Sequence, residues 1–129
     1  GKLKVLRNVT GLKQLHLAKT QVSGDLGGAL QEHNQLEVLN LSDTSVSGDL
    51  KSLQEATSLT VLDFSKTQVN GNLGALTQAH HLTKLDLSNT AVSGVLEDLA
   101  GATGLISLHL ANAQVSGDLG ALKGAKLLT

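Results

Sequence analysis

Apolar and polar positions alternate over short stretches of this chain, and the same stretch keeps returning. Leu15-His16-Leu17 recurs as Leu39-Asn40-Leu41, Leu62-Asp63-Phe64, Leu85-Asp86-Leu87 and Leu108-His109-Leu110, at spacings of 24, 23, 23 and 23 residues. A period of two with a polar middle residue predicts a short strand buried on one side only. Only one such strand falls in each unit, so its neighbours must come from adjacent units, in parallel. Three residues after each triplet stands Thr20, Thr44, Thr67, Thr90 or Ala113, and a Val follows two residues later. Next come Gly24, Gly48, Gly71, Gly94 and Gly117, where glycine gives the backbone freedom to turn away from the sheet. Asp25, Asp49, Asn72 and Asp118 follow as candidate caps of a short helical turn, for which Leu50-x-x-Leu53 and its counterparts have the spacing. Leu36, Leu59, Leu82, Leu105 and Leu128 close the units. The single extra residue of the first unit falls in Gly27-Gly28-Ala29, where a glycine pair can absorb it.

Composition sharpens this picture. The 129 residues include 28 Leu but one Phe and no Trp, Tyr, Met or Pro. A single globular core normally uses aromatics to fill irregular space; a core of Leu, Val and Ala points to one small packing problem solved many times. The length allows one domain. Without Cys there are no disulfides, thiolate nucleophiles or Cys-ligated metals. Ten Lys and Arg against eleven Asp and Glu leave a net charge of -1, without the basic surplus that nucleic acid or an anionic membrane surface requires. No apolar run approaches the roughly 18 residues of a membrane span.

The repeat resembles the leucine-rich repeat family, whose signature is L-x-x-L-x-L-x-x-N/C-x-L, and the resemblance covers the whole chain. Val46-Ser47-Gly48-Asp49-Leu50 and its counterparts look like the plant and algal type, which carries L-x-G-x-I-P there. Thr stands here in place of the family's Asn, and the Pro is missing. A Thr hydroxyl can still bond local backbone groups; Ala113 cannot, so the last full unit should be locally weaker. The resemblance implies an α/β solenoid: a right-handed horseshoe with one curved parallel sheet on the concave face and short helical turns or loops on the convex side. It also implies that the concave face is the usual binding surface.

Residues 1–129 thus read as a single repeat domain of about five units. Leu3, Leu6 and Leu12 fall in register with Leu96, Leu99 and Leu105, so Gly1 aligns with the turn glycine; Thr129 aligns with Ile106. The sequence therefore begins and ends in mid-unit, without the polar capping units that solenoids use, as expected of a piece of a longer array. Lys2, Lys4, Arg7, Lys13 and Lys19 fall in the first 24 residues, which hold no acid, an asymmetry that could orient a partner or an adjoining unit.

Reading the outward strand positions column by column gives the candidate face. The central column is His16, Asn40, Asp63, Asp86 and His109, flanked by Gln14, Val38, Val61, Lys84 and Ser107 and by Ala18, Ser42, Ser65, Ser88 and Ala111. Lys19, Asp43, Lys66, Asn89 and Asn112 run along the strand ends. Strands lie about 4.8 Å apart, so Asp63 and Asp86 should approach closely enough to repel, with Lys66 and Lys84 compensating in part. His109 with these carboxylates offers valid metal ligands, or a contact sensitive to pH, or a solvated polar face; the solvated face is the plainest reading, and no metal or cofactor is assigned. Ser88, His109 and Asp86 have the residue types of a nucleophilic triad, but strand geometry separates Ser88 from His109 by roughly 8 Å, against the ~3 Å that a nucleophile and its base need. His33, His80 and His81 are expected in an exposed turn on the return side, and Phe64, in a Leu row, in the core. The resulting functional expectation is a non-catalytic interaction module that binds a protein or peptide through its concave face. The alternative is a structural accessory subunit held permanently in a larger complex.

Overall fold

The computed structural model describes residues 1–128; Thr129, where the unit alignment breaks off, lies outside the described residues. The chain winds through five coils, each contributing two strands. The alternating triplets supply β1 (Gln14–His16), β3 (Val38–Asn40), β5 (Val61–Asp63), β7 (Lys84–Asp86) and β9 (Ser107–His109), which pair in parallel in that order. The repeat spacing fixes the register: Leu15, Leu39, Leu62, Leu85 and Leu108 lie side by side. Leu39 and Leu62 have no exposed surface. A slip of one residue would put the polar column into the core.

The second strand of each coil departs from the single sheet expected above. β2 (Ser23–Asp25), β4 (Ser45–Asp49), β6 (Gln68–Asn72), β8 (Ala91–Val95) and β10 (Gln114–Ser116) form another five-stranded parallel sheet, in the order β10-β8-β6-β4-β2. The recurring glycines do not turn the chain out of a sheet; they lie within or, for Gly117, just beyond these strands, with φ between 106° and 125°. A side chain is strained at that angle. Space is equally short: a Cβ on Gly94 would stand 2.9 Å from the Leu73 backbone nitrogen of the preceding coil. Glycine is thus required twice over, by its own dihedral and by the coil packed against it.

After each second strand comes a single 3-10 turn: Leu50–Leu53, Leu73–Leu76, Leu96–Leu99 and Leu119–Leu122. Asp49, Asn72 and Asp118 cap three of them by accepting the backbone N–H two residues on, at 2.6–2.8 Å. Val95 occupies the fourth cap position and makes no side-chain bond. In the first unit the extra residue opens the turn into the α-helix α1 (Leu26–Leu30), capped by Asp25. Leu rows from the first sheet and these turns meet the Val row of the second sheet in one continuous core that includes fully buried Phe64.

The Thr column holds the bend between the two strands of each coil. Thr44, Thr67 and Thr90 are buried, and their hydroxyls donate to the carbonyls of Leu41, Phe64 and Leu87 at 2.6 Å. Ala113 has no hydroxyl, and only its backbone N–H reaches the Leu110 carbonyl, at 3.1 Å. Ala113→Thr should therefore stabilise the last coil by about 0.5–1.5 kcal/mol, the ordinary net value of one such bond. Slower hydrogen exchange over residues 107–122, with the first coils unchanged, is the expected readout.

His33 corrects another expectation. It is not exposed: it is 5% accessible, and its Nε2 lies 2.8 Å from the Leu6 carbonyl. A carbonyl can only accept, so Nε2 is the donor. The same row in the coils that follow holds the small buried residues Ala56, Ala79, Ala102 and Ala125. The larger ring instead reaches across to the opening segment that precedes the first coil and ties it down. His33→Ala should cost about 1–3 kcal/mol, locally, through the unpaired carbonyl and the space left behind. Hydrogen exchange should accelerate in residues 1–12 and stay unchanged beyond residue 60. His80 and His81 are exposed as expected; His80 Nδ1 sits 3.3 Å from the Gly101 carbonyl of the next coil.

Candidate binding face

The outward side of the first sheet is built by register. His16 pairs with Asn40, Asn40 with Asp63, Asp63 with Asp86, and Asp86 with His109. The flanking row Gln14, Val38, Val61, Lys84 and Ser107 pairs in the same way. Both columns expected from the sequence are therefore continuous. Asn40, Asp63 and Asp86 are half-buried in the middle of the sheet, whereas His16 and His109 are exposed on its edge strands.

The three central side chains repeat one local motif. Asp86 Oδ1 accepts from the Ser88 hydroxyl at 2.6 Å and from the Ser88 N–H at 3.0 Å. Asp63 holds Ser65 in the same way, at 2.7 and 2.9 Å, and Asn40 holds Ser42, at 2.8 and 3.1 Å. Ser42, Ser65 and Ser88 thus brace the column. This arrangement answers the triad question directly, because the Ser88 hydroxyl is committed to a carboxylate and not to His109. A carboxylate accepts about four bonds, so Asp63 and Asp86 keep acceptor capacity for a partner, and the Asn40 amide keeps its N–H donors.

Beyond the serines the chain adopts a conformation that the sequence did not disclose. Lys19, Asp43, Lys66, Asn89 and Asn112 all have φ between 55° and 60°. Asn and Asp tolerate this left-handed region; Lys does so less readily. Inter-coil bonds offset the strain: the N–H groups of Lys19, Asp43, Lys66 and Asn89 donate to Ser42, Ser65, Ser88 and Ala111 at 2.8–3.0 Å. Asn112 Nδ2 also donates to Asn89 Oδ1 at 2.8 Å, a side-chain rung at the strand ends.

These columns enclose a shallow cavity of about 330 Å3 whose walls include Asn40, Val61, Asp63, Lys84, Asp86 and His109. Lys84 shares those walls with the two carboxylates, and Lys66 lies outside them. Among the described residues no three His, Asp or Glu side chains converge as a metal site requires. Nor is any helix among them long and apolar enough to cross a membrane.

No protein-family model matches the sequence, and no curated protein matches it either. Solved structures do. The LRR ectodomain of the receptor kinase SOBIR1 from Arabidopsis thaliana superposes with a TM-score of 0.79 at 26% identity, over 88% of this chain and 64% of that one. The plant peptide hormone receptor RGFR1, in complex with RGF2, gives 0.76 at 26% identity, over 94% of this chain and 20% of that one. An internalin from Listeria monocytogenes gives 0.78 at 22% identity, over 98% and 36%. In each case the chain spans less than two thirds of the structure it resembles. Parallel strands in coil-by-coil register, together with this likeness, give the chain the fold of a leucine-rich repeat solenoid.

Proposed function

We propose that the chain is a non-catalytic interaction module that takes a protein or peptide across the outward face of its first sheet. The single observation that carries this reading is the braced Asn40–Asp63–Asp86 column, half-buried beside a cavity of about 330 Å3 on an otherwise solvent-facing sheet. The likeness to a peptide hormone receptor in complex with RGF2 supports it. The face has no Trp, Tyr or Arg, the usual anchors of tight interfaces. Binding here rests on hydrogen bonds and charge, and should weaken as salt rises. Asp86→Lys reverses one of the two charges of the braced column and removes the acceptor that braces Ser88. It should weaken partner binding at least about tenfold while leaving the circular dichroism spectrum unchanged. Undiminished binding by a folded variant would sink the reading.

A second reading has its own observation. On the last coil Leu119 and Leu127 are 75% and 66% exposed, and in the segment before the first coil Leu6 and Leu12 are only partly covered. Apolar surfaces of this kind fit an accessory subunit that a larger complex covers. Under that reading Asp86→Lys leaves assembly intact and Leu119→Lys abolishes it.

A further inference from the structure

We propose that Asn8 is an attachment site for an N-linked glycan and that Asn40 is not. The sequence holds two Asn-x-Ser/Thr triplets, Asn8-Val9-Thr10 and Asn40-Leu41-Ser42. Such a triplet is an acceptor only where it is presented on an accessible surface, and the fold separates the two. Asn8 follows the opening 3-10 turn Leu3–Leu6 in a stretch where Asn8, Val9 and Thr10 are all exposed. Its row in the other coils is Glu32, Glu55, Gln78, Gly101 and Gly124, exposed in every case. A bulky group on this row therefore displaces no packed side chain, and it stands apart from the strands of the binding face. Asn40 lies inside β3, half-buried, with its amide oxygen holding both the N–H and the hydroxyl of Ser42. A glycan there would rise from the middle of the column, between His16 and Asp63.

The donor is an oligosaccharide carried on a lipid pyrophosphate. Asn8 Nδ2 attacks the anomeric carbon of the first sugar, forming a C–N bond. The bond from that carbon to the pyrophosphate oxygen breaks, the lipid pyrophosphate leaves with the electron pair, and one amide proton is lost. No oxidant or reductant is involved.

The test is to secrete the full chain from cultured eukaryotic cells behind a cleavable signal. The product is then deglycosylated enzymatically in heavy-oxygen water and mapped after trypsin. The peptide 8–13, released by cleavage at Arg7 and Lys13, should carry a heavy Asp at position 8; the peptide 20–51 should keep an unlabelled Asn40. Asn8→Gln and Thr10→Ala should abolish the label, and Thr10→Ser should retain it, which separates loss of the acceptor from loss of the fold. An unlabelled Asn8, a labelled Asn40, or a label that survives Thr10→Ala overturns the proposal.

Discussion

Gly71→Ala should lower the stability of this chain by about 3–4 kcal/mol, the sum of backbone strain and overpacking. Gly71 has a φ of 106°, outside the range a residue with a Cβ readily adopts. An added Cβ would also stand 2.8 Å from the Leu50 backbone nitrogen and collide with the Asp49 carboxylate, which caps the turn of the preceding coil. Neither neighbour can yield without breaking that cap or shifting the ladder between β4 and β6. Gly24 provides the internal control. Its φ is 121°, but its nearest contact is the Leu3 backbone nitrogen at 3.4 Å, an ordinary distance. Gly24→Ala should therefore cost only the backbone strain, about 1–2 kcal/mol. Urea denaturation of the two variants separates the terms. Equal losses would mean that coil-to-coil contact contributes nothing to the glycine requirement.

Phe64→Ala should cost about 3–5 kcal/mol, the range for removing a buried aromatic ring from a core that relaxes only in part. Phe64 is fully buried and occupies the row that Leu41 and Leu87 fill in the adjacent coils. Its carbonyl also accepts the Thr67 hydroxyl, so a cavity there loosens the bend between β5 and β6. Phe64→Leu restores the residue of the repeat and should cost less than about 1.5 kcal/mol. A solenoid couples each coil to its neighbours only. The alanine variant should therefore expose amides first in residues 61–72, with the outer coils following as denaturant rises.

The first sheet was readable because a spacing of 23 or 24 residues leaves one register in which every Leu of the triplets is buried. The same spacing dictates the columns from His16 to His109 and from Gln14 to Ser107. The second sheet was not readable. β4, β6, β8 and β10 have one inward Val each, β2 has none, and a glycine interrupts β2, β4, β6 and β8. Strand propensity and hydrophobic alternation are both weak there, and inter-coil hydrogen bonding decides the outcome. The burial of His33 is not legible because a polar residue in a return segment reads as solvated. The sign that could have corrected this was comparative: Ala56, Ala79, Ala102 and Ala125 share its row, and a row of small apolar residues marks a buried position. Lys19 and Lys66 carry no mark of their left-handed backbone; only Asp43, Asn89 and Asn112 in the same row do. Within the binding face the positions were legible, but the serine braces were not, because they depend on side-chain torsions that the repeat does not encode.

The claim that the outward face of the first sheet does the binding is tested most directly by contact mapping on the intact protein in its native extract. A photo-crosslinking residue at position 107, in the wall of the face cavity, is compared with one at position 54, on the turn segment of the second coil. A discrete protein or peptide adduct that fades as salt rises is expected from position 107, and none from position 54. Adducts from position 54 alone would contradict it and place the partner on the return side of the coils.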